Sequence, residues 1–529
     1  MQKVFKDTRR NDSAVRDVYG LTEDIMMENA AAALEREIRK RYKAAENPDS
    51  FTVLIITGAG NNGADGMALA RRLAGSDEMQ PAVAAVFAPE SSGCRHQKEL
   101  AEKAGVLFLS GNGMFDKVLR ECTCIIDCLF GSGFHGTLDK ESAAVIAKCN
   151  TAKAYRIACD IPSGIDRNGS IESIDQANGD KLAFRADVTV TMGALKTALY
   201  GDDAKDYTGN IVCADLGISR KNFEQVPVSD ADDVSVYLLE KKDMMLPVRK
   251  TQAVNKGSFG HVAILMGQKK GASIIAGNAA FAFGAGLVTI VKPVSSRENT
   301  FCSDDVCTAI PPELMQSSDF PGNTTAIAIG MGLGDPATDE VQQAVHACET
   351  WMQLHPAVSC VIDADMFRYQ NTGSLLDTLV HSGTNGMRNI VLTPHPKEFQ
   401  SLLNICGFGE YTVREITCRR IELAAEFIRK FPGVVLLLKG SNTLVAYTDK
   451  TAAQKDLAVD IDDCGCPSLA KGGSGDVLAG LICALLAQGY SARNAAVTGT
   501  LAHSIASQRM PAGFGMTPEI LTGYIRTLA

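Results

Sequence analysis

Gly465-Cys-Pro-Ser-Leu-Ala-Lys-Gly-Gly-Ser-Gly-Asp476-Val-Leu-Ala-Gly480 packs three glycines and a serine into residues 472–475, with an aspartate and an apolar run directly behind them. The run over 477–486 reads as a helix. A loop so poor in Cβ atoms lets backbone N–H groups close on an anion, and the helix turns its positive N-terminal end toward the same spot. Asp476 falls in the first helical turn, where its carboxylate can face a substrate hydroxyl opposite a bound phosphate. An anion hole beside a carboxylate base is the equipment of phosphoryl transfer. The spacing departs from the P-loop pattern G-x-x-x-x-G-K-[ST]. A glycine turn that only caps a core helix is the plainer alternative, and it leaves Asp476 unexplained.

Outward from that stretch, 529 residues are too many for one core, so the chain divides into domains. A net charge of −9 and the lack of a long Lys/Arg run argue against nucleic acid as a partner. Phosphate binding then falls to glycine loops, for which 48 glycines give ample material. MQKVFKDTRR has no apolar segment of a secretory signal, and no run approaches 18 apolar residues, so neither export nor a membrane span is expected. The 16 cysteines are scattered through apolar runs, as reduced thiols in a cytoplasmic protein would be. Cys122/Cys124 and Cys464/Cys466 lack the second pair or the histidines of a zinc site.

Both halves alternate short β-branched runs with helical patterns. Strands are expected over 52–57, 83–87, 123–128, 155–160 and 187–192, with helices over 24–42, 64–73, 97–104 and 141–148. Strands apolar on both faces mean a parallel sheet covered on both sides. The pattern dissolves into polar, proline-containing sequence over 220–250 and then restarts. Strands are expected over 261–267, 286–291, 326–329, 359–363, 389–393, 434–438 and 443–447. Helices are expected over 272–283 and 413–430, the latter behind a Thr412…Glu415 capping box.

Four clusters in the first half lie at expected strand ends. They are Gly58-Ala-Gly-Asn-Asn-Gly-Ala-Asp65-Gly66, Asp127-Cys-Leu-Phe-Gly-Ser-Gly133-Phe-His-Gly136, Asp160-Ile-Pro-Ser163-Gly-Ile-Asp166, and Met192-Gly-Ala-Leu-Lys196. Oxygen-bearing Asn62, Asp127 and Ser163 converging at one sheet rim would suit a hard cation, and the glycine backbones a pyrophosphate. Asp160 and Lys196 are candidates for proton transfer. Taken singly, each cluster is also ordinary turn chemistry.

These motifs, with Met26-Met-Glu-Asn29, resemble the NAD(P)H-hydrate epimerase family over about residues 10–220. The resemblance implies a Rossmann-like three-layer domain that interconverts the R and S forms of hydrated NAD(P)H. It assigns the hydrated dinucleotide to Asn61, Asn62, Gly63, Ala64 and Asp65, to Gly131, Ser132, Gly133, Phe134, His135, Gly136 and Thr137, and to Asp160. It assigns potassium to Asn62, Asp127 and Ser163. Ala64 stands where that family commonly has glycine.

The second half carries Lys256-Gly-Ser-Phe-Gly260, Gly330-Met-Gly-Leu-Gly334, Asp363-Ala-Asp365, Thr393-Pro-His395-Pro-Lys-Glu398 and Lys439-Gly-Ser-Asn-Thr443 ahead of the opening loop. His395 between two prolines is held extended, which suits ligand contact better than core packing. The series resembles the NAD(P)H-hydrate dehydratase family, a ribokinase-like α/β fold, over about residues 240–529. The resemblance implies that ADP or ATP, with Mg2+, phosphorylates the hydrate hydroxyl and that phosphate loss restores NAD(P)H. Asp476 matches the catalytic aspartate. Ala272, Gly334 and His395 match hydrate contacts. Lys439, Gly440, Ser441, Asn442 and Thr443, with Ala470, Lys471, Gly472, Gly473, Ser474 and Gly475, match the nucleotide segments. Lys471, Cys466 and Ser468 depart from that family's usual residues, and Lys471 is expected close to the nucleotide phosphates.

The joint expectation is a bifunctional repair enzyme: an epimerase domain over 1–225 fused to a dehydratase domain over 235–529, forming a homo-oligomer. The alternative is a ribokinase-like kinase for a vitamin or sugar alcohol with a non-catalytic N-terminal binding module. That alternative leaves the Thr393–Glu398 motif and the fused first half unused.

Overall fold

The computed structural model describes residues 1–44, 51–76, 79–227, 233–292, 310–382, 388–449, 456–511 and 513–528. It divides into two compact units, residues 3–232, and residues 233–529 together with Met1–Gln2. The expected boundary between 225 and 235 takes in residues 228–232, which lie outside the described residues.

In the first unit, seven parallel strands lie side by side. Their order is Leu107–Phe108, Gln80–Ala85, Thr52–Thr57, Cys124–Cys128, Tyr155–Cys159, Val188–Met192 and Asn210–Ala214. Alternate residues of one strand feed different cores. Val53 and Ile55 pack with Met67 and Ile126, whereas Leu54 and Ile56 pack with Ile125 and Phe184. Burial on both faces is why these strands read as unbroken apolar runs. The chain runs outward from Thr52–Thr57 and then returns to Cys124–Cys128, so the strand order reverses between these two. Ligand crevices in open α/β sheets form at the carboxyl ends beside such a reversal. Val4 and Phe5 form a short parallel pair with Leu195 and Lys196, an addition that sequence reading missed.

The second unit builds a larger sheet around one core. Its strands run Met315–Ser317, Leu287–Val291, His261–Leu265, Ala326–Ile329, Ser359–Ile362, Ile390–Leu392, Val434–Leu438, Thr443–Asp449, Asp456–Asp462 and Val234–Leu238. The order reverses between His261–Leu265 and Ala326–Ile329. Helix Ser474–Ala487 is buried along nearly its whole length and packs on helix Lys270–Ala282. A Cβ on Gly480 would stand 2.2 Å from the Ala276 carbonyl oxygen, so glycine is what lets these helices meet closely.

Two features differ from the sequence reading. Val434–Leu438, Thr443–Asp449 and Asp456–Asp462 form an antiparallel meander, because the four residues Lys439–Asn442 cannot hold the crossover a parallel pair needs. The single helix expected over 413–430 is two, Val413–Cys418 and Arg420–Lys430, broken at Arg419. At the break Arg420 turns inward and donates to the Leu438 and Lys439 carbonyls at 3.1 and 3.3 Å, fixing the start of the Lys439–Thr443 segment.

Candidate active sites

At the reversal of the first sheet lies a cavity of about 540 Å³. Its floor is a loop that only glycines permit. A Cβ on Gly58 would sit 1.9 Å from the Leu129 carbonyl oxygen, and one on Gly63 would sit 2.1 Å from that of Gly58. This packing brings residues 59–62 beside residues 129–133, and both segments line the cavity.

Asp160 closes one wall. It is a non-glycine residue at φ 70°, a backbone costing roughly 1–2 kcal/mol, held by its N–H to the Val190 carbonyl at 2.8 Å. Its carboxylate meets the buried Lys196 ammonium at 2.6 Å and accepts from Met192 N and Ser132 N. Lys196 also donates to the Met192 carbonyl at 2.8 Å and to Thr191 Oγ1 at 3.1 Å. The lysine is thereby fixed as the counter-charge of Asp160.

Beside this pair, Asp127 is buried and accepts from Ser163 N at 2.8 Å, Ser163 Oγ at 2.7 Å and Leu129 N at 3.1 Å. Burial nevertheless pushes its carboxyl up to about 6, against those hydrogen bonds. Asn62 Nδ2 donates to the Phe130 carbonyl at 2.8 Å, and Ser163 Oγ lies 3.4 Å from the same oxygen. Asn62 Nδ2 and Ser163 Oγ thus meet at Phe130 O, with Asp127 joined to Ser163, and the oxygens of Asp127, Ser163 and Phe130 form a cluster that would suit a hard monovalent cation. The Phe130 carbonyl was invisible in the motif because a backbone atom has no letter.

Of the expected dinucleotide contacts, Asn61, Asn62, Asp65, Gly131, Ser132, Gly133 and Asp160 line the cavity. Gly63 and Ala64 do not. Ala64 packs with Met27 and Cys94, so the methyl that replaces the usual hydrogen fills core and not binding space. Phe134, His135, Gly136 and Thr137 are also absent from the walls; Phe134 stacks on Phe130 at 5.0 Å, and the His135 ring turns back to the Gly133 carbonyl. Asp65 is half-buried in the cavity wall, and desolvation, with Asp160 and Asp12 adding, raises its carboxyl well above the ordinary value. Asp12, which no motif flagged, lines the same cavity.

In the second unit Gly473 adopts φ 90° as the N-cap of helix Ser474–Ala487, which puts Asp476 in the first turn, as the spacing implied. Burial and the charge of Asp363 push Asp476 up to about 7, with Lys439 opposing. Lys439 pairs with Asp363 at 3.1 Å and lies 3.8 Å from Glu398, while a Cβ on Gly475 would be 3.4 Å from its ammonium. One lysine thus stands among carboxylates beside the glycine loop. Ala364, the other left-handed non-glycine among the described residues, directly follows Asp363. Gly334 N donates to Asp365 at 2.9 Å, and a Cβ on the nearby Gly332 would be 2.9 Å from Ala272. Ala272 and the Gly330–Gly334 loop therefore meet where the sheet reverses.

His395 caps helix Pro396–Ile405. Its Nδ1 accepts from Lys397 N and Glu398 N at 3.2 and 3.3 Å, and Nε2 lies 3.2 Å from Glu398. The prolines hold it extended, yet half of its polar capacity goes to the cap, and burial followed by Lys439 lowers its basicity. Lys471 donates to the Phe514 carbonyl at 2.7 Å, a partner its spacing in the loop did not name. His503 was also missed. It is buried, with Nε2 2.9 Å from the Ser474 carbonyl, and burial lowers it to about 4, so it remains a neutral support of the turn that carries Asp476.

The family described as "YjeF-related protein N-terminus" matches residues 23–198, and the family described as "NAD(P)H-hydrate dehydratase" matches residues 262–526. The bifunctional NAD(P)H-hydrate repair enzyme Nnr of Helicobacter pylori is 36% identical over 528 residues, covering 100% of both chains. The enzyme of the same name from Coxiella burnetii is 30% identical, over 93% of this chain and 91% of its own. A crystal structure of Bacillus subtilis ADP/ATP-dependent NAD(P)H-hydrate dehydratase with ATP/Mg2+ aligns at 24% identity and TM-score 0.38, covering 52% of this chain and 91% of that one. The full-length match spans both units, and the chain belongs to the bifunctional NAD(P)H-hydrate repair enzyme family.

Proposed function

We infer that the chain restores hydrated NAD(P)H in two steps, with the unit over 1–225 equilibrating the R and S hydrates and the unit over 235–529 dehydrating the S hydrate at the expense of ADP or ATP. The observation that carries this reading is Asp476 in the first turn behind a glycine cradle, with a carboxyl near 7 and Lys439 beside it. A carboxylate of that strength takes a hydroxyl proton at neutral pH as the oxygen attacks a phosphoryl group. Lys439 and the backbone N–H groups of residues 472–475 steady the phosphates, and Mg2+ travels with the nucleotide. The oxygen donors Asp363, Glu398 and Asp476 suit that ion.

In the first unit Asn61, Asn62 and Gly131–Gly133 hold the dinucleotide, Asp160 faces the hydrate, and Lys196 holds Asp160 in place through their ion pair. Potassium on Asn62, Asp127 and Ser163 would supply a fixed positive charge beside the substrate. The working compartment is the cytoplasm and the assembly a homo-oligomer. A sugar-alcohol or vitamin kinase with an inert N-terminal module would leave the built Asp160–Lys196 pair idle.

The test is recovery of reduced-nicotinamide absorbance from purified R and S hydrates, with and without ADP or ATP. Nucleotide-dependent recovery from S, and from R at a rate above spontaneous epimerisation, is expected. A protein that phosphorylates sugar alcohols and leaves both hydrates untouched sinks the reading.

A further inference from the structure

Helix Arg9–Tyr19 lays an unusual face along the first cavity. Arg9, Asp12, Ser13 and Arg16 all line it, at i, i+3, i+4 and i+7, while Asn11 and Val15 point into the protein. Arg9, Ser13 and Arg16 remain exposed, and Asp12 is the half-buried member of the stripe. Within that stripe the two arginines have partners, Arg9 with Asp7 and Arg16 with Glu23. Among the described residues no donor holds the Asp12 carboxyl in a hydrogen bond or ion pair. Asp160, on the same cavity, is by contrast bound to Lys196.

The two carboxyls thus share a cavity, one ion-paired and one without a donor among the described residues. Burial pushes Asp12 up to about 6, Lys196 opposes that shift, and Asp160, Asp7 and Glu23 add to it. Asp65, on the same cavity wall, is raised by desolvation and then by Asp160 and Asp12. A desolvated carboxyl with no donor on it holds a proton to give, which suits an acid.

We propose that Asp12 is a catalytic acid of the first unit, protonating the departing hydroxyl of the hydrate while the Asp160 carboxylate receives a proton from the water that returns on the other ring face. The proposal rests on assigning epimerisation to this cavity. The hydrate bears its hydroxyl on a carbon attached to the ring nitrogen. A proton moves from Asp12 to that hydroxyl, the C–O bond breaks with its electron pair leaving as water, and the nitrogen lone pair forms C=N. Water then adds to the opposite face, the nitrogen recovers its pair, and the surplus proton passes to Asp160. The carbon ends inverted, with no net redox change. The proton now on Asp160 defines the form that runs the reverse reaction, and exchange with solvent resets the pair.

Asp12→Asn and Asp12→Glu are compared with wild type in R-to-S conversion, corrected for the spontaneous rate, beside hydrate binding and S-hydrate dehydration. Asp12→Asn should lose about 100-fold or more in epimerisation, the ordinary share of one general acid, with hydrate affinity and dehydration kept. Asp12→Glu should recover part of the rate. In wild type kcat/KM should fall as pH rises through about 6, because the acid form is lost, and Asp12→Asn should lack this limb. Wild-type turnover and pH profile in Asp12→Asn overturn the proposal, as does a loss confined to KM in both variants, which would make Asp12 a binding residue. A wild-type protein that never exceeds the spontaneous rate overturns the epimerase assignment instead.

Discussion

At the scale of single residues, carboxyls carry most of the chemistry, and their burial sets when they can act. Asp476, near 7, must be ionised to serve as a base, so dehydration kcat/KM should climb as pH rises toward 7 and level off above it. Asp476→Asn should lose roughly 10²–10⁴-fold in rate and that pH dependence, with hydrate affinity kept. A retained rate in the variant would remove Asp476 from the mechanism. Asp127 behaves in the opposite sense for stability. Its folded carboxyl is raised from 3.8 to about 6, so burial favours the protonated form and stability is lost as pH rises through that window. A cation needs the ionised form. Potassium should therefore raise the Tm more at pH 7.5 than at pH 5, and Asp127→Ala should abolish that gain while S-hydrate dehydration continues. A potassium effect independent of Asp127 would place the ion elsewhere.

At the scale of elements, the glycine loop after strand Thr52–Thr57 divides its labour. Gly58 faces the Leu129 carbonyl at a distance no Cβ could occupy, whereas nothing lies within 4 Å of a Cβ on Gly60, which lines the cavity. Gly58→Ala should therefore cost more than the 1–3 kcal/mol typical of overpacking, because backbone must move and not a side chain. Gly60→Ala should hold its Tm within about 1 °C and weaken hydrate binding by intruding on the cavity. Thermal melts and hydrate titration of both variants separate the roles; equal melting losses would contradict the division. Both glycines look alike in the sequence. What distinguishes them is the neighbouring strand, 71 residues further along the chain, that one of them must touch.

At the scale of the whole molecule, each unit has its own sheet and its own buried core. Damage to one catalytic centre should then leave the other intact. An Asp160→Asn protein mixed with an Asp476→Asn protein should convert R hydrate to NAD(P)H, because S hydrate released by one is taken up by the other. Each variant alone should fail at its own step beyond the spontaneous background. A mixture no faster than Asp160→Asn alone would show that the intermediate must pass within one molecule.

Sequence alone determined the two α/β halves, because doubly buried parallel strands leave unbroken apolar runs whatever surrounds them. It also determined the first-turn position of Asp476, the strand-end position of Asp160, and the grouping of Asn62, Asp127 and Ser163, since each follows from local turn chemistry at a strand end. Tertiary structure alone decided the rest. Lys471 turned to the Phe514 carbonyl, a partner 43 residues away that spacing could not name. Gly63 and Ala64 faced the core although their neighbours faced the cavity, because a helix begins at Asn61 and rotates successive residues by about 100°. Asp12 sat in an ordinary-looking polar helix, and only the packing of that helix against residues 220–225 brought Asp12 to the cavity wall. Local pattern records what a residue prefers to bury or hydrogen-bond with its near neighbours. Which distant groups receive it is settled by the sheet order, and the sheet order exists only in three dimensions.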